Sequence, residues 1–201
     1  DESVIVDGDR NYYMASLYKV IITGYVLEAA RVGKFSLNDS IGSPAITINN
    51  ALKLIISKSN NEYAQAIAEK YGWKNIESFI KAQFGIDFSF NTDLLGNVKN
   101  IGMLFEYIAQ SAKISDAEST YILQLLHQQE SITKLPKYLP KNIYSHNKTG
   151  EFEHYSHDAA IFYTPKANYV LVLMSNTSDP TKTNEQMALM SKEIYDVLNA
   201  S

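Results

Sequence analysis

Helical spacing fills the middle of this chain, while β-branched and aromatic runs gather near its two ends. A chain ordered in this way is expected to insert a helical block into a sheet lobe built from both termini. At the start, Ser3–Val6 is short and β-branched and reads as a strand, followed by an Asp-Gly turn. From Ser16 to about Val32 the residues are apolar on most faces and Gly33 supplies a stop signal, so this helix should run through the core. After Thr47, the spacing of Ile48, Ala51, Leu52, Ile55 and Ile56 predicts a second helix. Asn61 to Tyr71 reads as another, ended by Gly72. Ile76, Phe79 and Ile80 mark a short amphipathic stretch, and Ile101, Leu104, Phe105 and Ile108 a longer one. Ser115-Asp116-Ala117-Glu118 has capping-box spacing and should open the helix carrying Tyr121, Ile122, Leu125 and Leu126.

The pattern then changes. Ile143–Thr149, Asp158–Tyr163 and Tyr169–Ser175 predict antiparallel strands, the last two joined by a hairpin connection at Thr164–Asn168. Thr183 to Gln186 is a second capping-box candidate, with Met187, Met190, Ile194 and Val197 on one face of the helix that follows. The expected class is α+β: an antiparallel sheet flanked by helices, plus an all-helical lobe. No repeat or low-complexity linker divides the chain, so residues 1–201 read as one domain, with a sheet lobe from 1–15 and 140–201 and a helical lobe from 16–139.

The formal charge of −4 provides no basic stripe for a nucleic acid, and no aromatic and basic interleaving is present to stack bases. No apolar run reaches membrane-spanning length. Asp1-Glu2-Ser3 is not the start of a signal peptide, so the chain reads as a mature form, an excised domain or a recombinant product. Having no cysteine, the chain has no disulfide, thiol nucleophile or thiolate metal site; this is compatible with export.

Three short motifs stand in one order: Ser16-Leu17-Tyr18-Lys19, Ser59-Asn60-Asn61 and Lys148-Thr149-Gly150. The first alone means little, since roughly one or two such tetrapeptides arise by chance and Ser78 with Lys81 is another. Its setting adds meaning. Ser16 opens the long apolar helix, where its backbone N–H lies at the positive end of the helix dipole, and Lys19 follows on the same face. A lysine with a pKa near 10.4 has to fall by roughly 3 units to serve as a base at neutral pH, which burial and a second cation can supply. Lys148 is the candidate second cation. Ser16 is then the candidate nucleophile and Lys19 its base, forming an ester with a substrate carbonyl.

His146, His154 and His157 invite a metal reading, but His154-x-x-His157 lacks a cysteine or well-spaced carboxylate, so solvated or core-satisfied histidines are expected and no metal site is assigned. Tyr12, Tyr13 and Tyr18 flank the nucleophile, with packing roles expected.

The three motifs, with the flanks Tyr13–Val20 and Gly33–Asp39, resemble the penicillin-binding proteins and class A β-lactamases, and the likeness extends through the final helix. It implies a β-lactamase/D,D-transpeptidase-like fold with no cofactor. In that family Ser59 would relay a proton to the leaving nitrogen, Asn61 would hold Lys19 and a substrate carbonyl, and Lys148 and Thr149 would hold a substrate carboxylate. Gly150 would admit the substrate backbone, and the N–H groups of Ser16 and Glu151 would form the oxyanion hole. The family's middle residue in the second motif is usually Asp or a small polar residue, so Asn60 is a mild departure. Asp158 resembles an Asp of the family's next strand and is expected to be structural.

Two features depart further. The Glu-x-x-x-Asn loop that deacylates class A enzymes is absent from the sequence: the chain runs through Phe84–Asp87 and Asn91–Leu94 with too little length for it, and neither Asp87 nor Asp93 is assigned as its stand-in. Slow deacylation is therefore expected. The chain also starts too late for the family's first helix. The resemblance implies a monomeric, extracytoplasmic hydrolase acting on β-lactams or D-Ala-D-Ala-like cell-wall peptides. Its rivals are a D,D-carboxypeptidase or transpeptidase, a β-lactam sensor acylated once, and a scaffold that binds cell wall without turnover.

Overall fold

The computed structural model describes residues 2–90 and 93–200; Asp1, Asn91, Thr92 and Ser201 lie outside the described residues. Strand β1 (Tyr12–Tyr13) leads into a 3-10 turn at Ala15–Leu17 and helix α1 (Tyr18–Arg31). A small hairpin follows, β2 (Ser40–Ile41) with β3 (Ile46–Thr47), and then α2 (Ile48–Ser57), α3 (Asn61–Tyr71) and α4 (Trp73–Phe84). Strand β4 (Leu95–Gly96) returns to pair with β1, and α5 (Val98–Gln110) and α6 (Asp116–His127) complete the helical part. The main sheet comprises β5 (Ser145–Phe152), β6 (Tyr155–Phe162) and β7 (Tyr169–Asn176), antiparallel in the order β5-β6-β7, before α7 (Pro180–Leu198).

Helix α1 is the axis of the core. Leu17, Val20, Ile21, Ile22 and Val26 are buried, and the helix touches α2, α3, α4 and α6, which is why its sequence is apolar nearly all round. Each such Leu, Ile or Val contributes about 1.5 to 3 kcal/mol by leaving water. Gly33, at φ +76°, lets the chain turn away beyond its end. The capping box at the start of α6 is formed: Ser115 Oγ accepts from the Glu118 N–H at 3.3 Å, and the Glu118 carboxylate accepts from the Ser115 N–H at 2.8 Å.

Two sequence expectations are corrected. Ser3–Val6 forms no strand, and Val4, Ile5 and Val6 are exposed. β-Branched residues favour a strand only where a neighbouring strand and a face to pack on exist, and here Tyr12–Tyr13 takes the pairing instead, outside the main sheet. The capping box at Thr183–Gln186 is also absent. Asp179 caps α7 by accepting from the Lys182 N–H at 3.0 Å, with Pro180 in the first turn, so Thr183 falls inside the helix. The three C-terminal strands match their expected positions to within a few residues, with Thr164–Asn168 connecting the last two. Among the described residues no helix is long and apolar enough to cross a membrane.

Candidate active site

Ser16 sits on the 3-10 turn just ahead of α1, and Lys19 in the first turn of that helix. Ala15 precedes it with φ +47°, a left-handed conformation unusual for a residue with a side chain; it aims the turn toward the sheet. Ser59 is held the same way, at φ +56°, between α2 and α3. Asn60 caps α3 by accepting from the Tyr63 N–H at 2.9 Å, and the following Asn61 is thereby turned back toward Lys19.

Lys19 Nζ is surrounded by four oxygens: Ser59 O and Asn61 Oδ1, each at 2.6 Å, Ser16 Oγ at 2.9 Å and Ser59 Oγ at 3.2 Å. An ammonium has three protons for these four positions, so one hydroxyl has to be left undonated. A neutral amine fits equally well. Its two protons go to Ser59 O and Asn61 Oδ1, which can only accept, and its lone pair then takes the Ser16 hydroxyl proton. Burial pushes the Lys19 ammonium down to about 8.

Lys148 enters from β5, fully buried, with Nζ 3.0 Å from Ser59 Oγ and 2.9 Å from Thr149 O. Burial first and the charge of Lys19 second bring it down to about 7, against an opposing pull from Asp158. The Ser59 hydroxyl thus stands between two amines, each with a lowered proton affinity.

Strand β5 is an outer strand of the sheet, and at Gly150 it passes close to the turn that carries Ser16. A Cβ there would lie 2.8 Å from Met14 O and 3.3 Å from both Ser16 N and Leu17 Cγ, so only glycine permits this approach. Beside it opens a cleft of about 790 Å³, lined by Ser16, Ser59, Asn61, Thr149 and Glu151. Tyr13 and Tyr18 also line it while packing outward, Tyr13 on Phe152 and Tyr18 on Trp73. All eight sequence-derived site residues, Ser16, Lys19, Ser59, Asn61, Lys148, Thr149, Gly150 and Glu151, therefore meet around one crevice.

Behind β5 lies a buried polar layer. Asp158 Oδ1 accepts from Asn147 Nδ2 and Oδ2 from the Leu135 N–H, both at 3.1 Å, and burial pushes its carboxyl up to about 6. His157 Nδ1 faces the Ser175 N–H at 3.1 Å, which assigns the ring proton to Nε2, 2.8 Å from Tyr13 O. His157 is thus a satisfied core histidine that ties β6 to the segment leading into Ser16, and burial brings it down to about 4. Among the described residues no group of three or more His, Cys, Asp or Glu side chains is arranged to hold a metal ion. Asp87 is exposed and paired with Lys81 at 2.8 Å.

Sequence reasoning missed Lys134, a fully buried lysine whose Nζ lies 3.0 Å from His157 O and 2.9 Å from Glu151 Oε1. It stands in the irregular segment after α6, in a run with no motif or periodicity to mark it. Glu62, Gln65 and Gln129, which also line the cleft, carried no signal either.

The profile of the beta-lactamase enzyme family matches residues 1–198. No curated protein matches the chain. Among solved structures, the fold is similar to a beta-lactamase from Chitinophaga pinensis DSM 2588, with a TM-score of 0.90 and 17% identity over 98% of this chain and 90% of that one. A beta-lactamase from Sphaerobacter thermophilus DSM 20745 gives 0.89 and 17% over 100% and 88%. A mutant of PBP-A in an acyl-enzyme complex with penicillin G gives 0.88 and 17% over 96% and 84%. At such identities the likeness is one of fold, and the profile supplies the family. On that match, the chain belongs to the beta-lactamase enzyme family and is a serine hydrolase acting on amide bonds.

Proposed function

We propose that this hydrolase recognises penicillins, is acylated at Ser16 by β-lactams or by D-Ala-D-Ala-like cell-wall peptides, and releases the acyl group slowly. The observation that carries the reading is the Lys19 amine, 2.9 Å from Ser16 Oγ, with two obligate acceptors for its remaining protons. Neutral Lys19 takes the hydroxyl proton as Oγ bonds to the substrate carbonyl carbon. The N–H groups of Ser16 and Glu151 receive the developing oxyanion, where losing one donor costs about 3 to 4 kcal/mol in comparable sites. As the C–N bond breaks, Ser59 passes a proton to the leaving nitrogen and is reprotonated from the amines beside it. Asn61 holds the substrate carbonyl, and Lys148 with Thr149 holds its carboxylate. Water or an amine then attacks the ester and frees Ser16. The reading carries with it a monomeric, single-domain protein working outside the cytoplasm.

A D,D-carboxypeptidase or transpeptidase is the second reading. It is favoured by the sequence between α4 and β4, which has no Glu-x-x-x-Asn and whose Asp87 is engaged with Lys81 at the surface. Intact mass spectra of protein with penicillin, followed over hours, test both. A transient adduct indicates a lactamase. A persistent one indicates a peptidase or a sensor, which release of D-Ala from a peptide then separates. With no adduct, the acylation reading gives way to a scaffold that binds cell wall without turnover. Ser16→Ala should abolish the adduct, and labelling that survives removes Ser16 from the chemistry.

A further inference from the structure

Lys19, Lys134 and Lys148 are all fully buried. Two of them share Ser59, but Lys134 is placed differently. It reaches β6 at His157, which faces Gly150 across the β5–β6 ladder, and ion-pairs with Glu151 at 2.9 Å. Glu151 is the asymmetric partner: its side chain is 60% exposed and lines the cleft beside Ser16 and Thr149. The other acid near Lys134, Asp158, directs its two oxygens to Asn147 and to the Leu135 N–H. A cation fully withdrawn from water is therefore ion-paired with a carboxylate that faces solvent, on the strand edge along which a substrate would lie. Such a cation is costly to leave unpaired, whereas the exposed member of the pair can be exchanged for another anion at small cost.

We infer that Glu151 is an internal carboxylate that competes for Lys134 with the substrate carboxylate held at Lys148 and Thr149, and so sets the protein's discrimination between anionic and neutral substrates. The inference rests on the proposed function for the identity of the cleft as the substrate's place. Neutralising the internal anion leaves the Lys134 charge uncompensated on the cleft side and strengthens binding of anionic ligands alone.

Calorimetric titration tests this without any covalent step. Benzylpenicillin and its neutral methyl ester are titrated into Ser16→Ala and into Ser16→Ala/Glu151→Gln; glutamine retains an oxygen for Lys134 and the backbone N–H. Benzylpenicillin is expected to bind roughly tenfold more tightly once Glu151 is neutral, with the ester shifting less than about twofold. Equal shifts for both ligands, weaker binding of benzylpenicillin, or no binding of it to either protein would overturn the inference. Failure of the otherwise native protein to be acylated at Ser16 would overturn the serine reading instead, leaving this comparison of affinities intact.

Discussion

Lys19 and Lys148, which lie 129 positions apart in the sequence, converge on one hydroxyl: Ser59 Oγ is 3.2 Å from the first amine and 3.0 Å from the second. Burial lowers both, and the charge of Lys19 lowers Lys148 further. Two amines this close release protons as a pair, so a titration of activity reports the pair and not one residue.

The rate of acylation should therefore rise with pH along a limb centred between about 7 and 8, as the lowered amines lose their protons. Stopped-flow measurement with a chromogenic cephalosporin checks this. A limb near 10, where ordinary lysines titrate, would remove Lys19 from the role of base.

Lys19→Met keeps much of the side-chain volume but removes the nitrogen. Acylation at neutral pH should slow by about two to four orders of magnitude, the usual worth of a positioned base. An unchanged rate would transfer that role elsewhere.

Gly150→Ala tests the close approach of the strand to the Ser16 turn. The added Cβ would meet Met14 O at 2.8 Å, a backbone atom that yields only if the turn moves. Acylation should fall by about a hundredfold, the cost of a small misplacement of reacting groups, while stability drops by about 1 to 3 kcal/mol. Adduct formation and thermal unfolding measured on one preparation separate the two effects.

Asn60→Asp should be nearly neutral and Asn60→Ala should cost about 1 kcal/mol of stability, because the side chain caps α3. Urea unfolding of both variants checks this. Equal losses would make the amide necessary for something other than capping.

Asp158 and His157 are neighbours with opposite linkage. Asp158, raised to about 6, gives a stability that falls as pH climbs from about 4 to 6, since only the folded chain keeps that proton. His157, lowered to about 4, gives one that rises over nearly the same range, since the unfolded chain holds the proton longer. Asp158→Asn removes the first and leaves the second. Stability of the variant should thus rise more steeply than wild type between pH 4 and 6, by up to roughly 3 kcal/mol across the window. Unfolding curves at several pH values measure it, and parallel profiles would refute the assignment.

Much of this architecture was written in local signals. The Ser115 capping box is formed as spaced, and the apolar encirclement of α1 marked it as the core helix. The family's three motifs announced the crevice because each joins a reactive side chain to a local backbone requirement: a helix start, a cap, a strand that needs glycine. Other features depend on partners that local sequence does not encode. Ser3–Val6 has strand composition but no neighbouring strand, and Thr183 lost its capping role to the Asp179–Pro180 pair just upstream. Lys134 was invisible because only the β5–β6 ladder and Glu151 give its ammonium a place.

Ser16 and Lys19 ride on the helical side and Lys148 on the sheet, and the seam where the two sides meet at the crevice runs through the Ser59 hydroxyl and the close approach at Gly150. Catalytic competence is accordingly a gauge of how firmly the two sides are seated. On gradual warming, penicillin capture should fade while helicity is still intact, because a slip at that seam separates the reacting groups before any single helix melts.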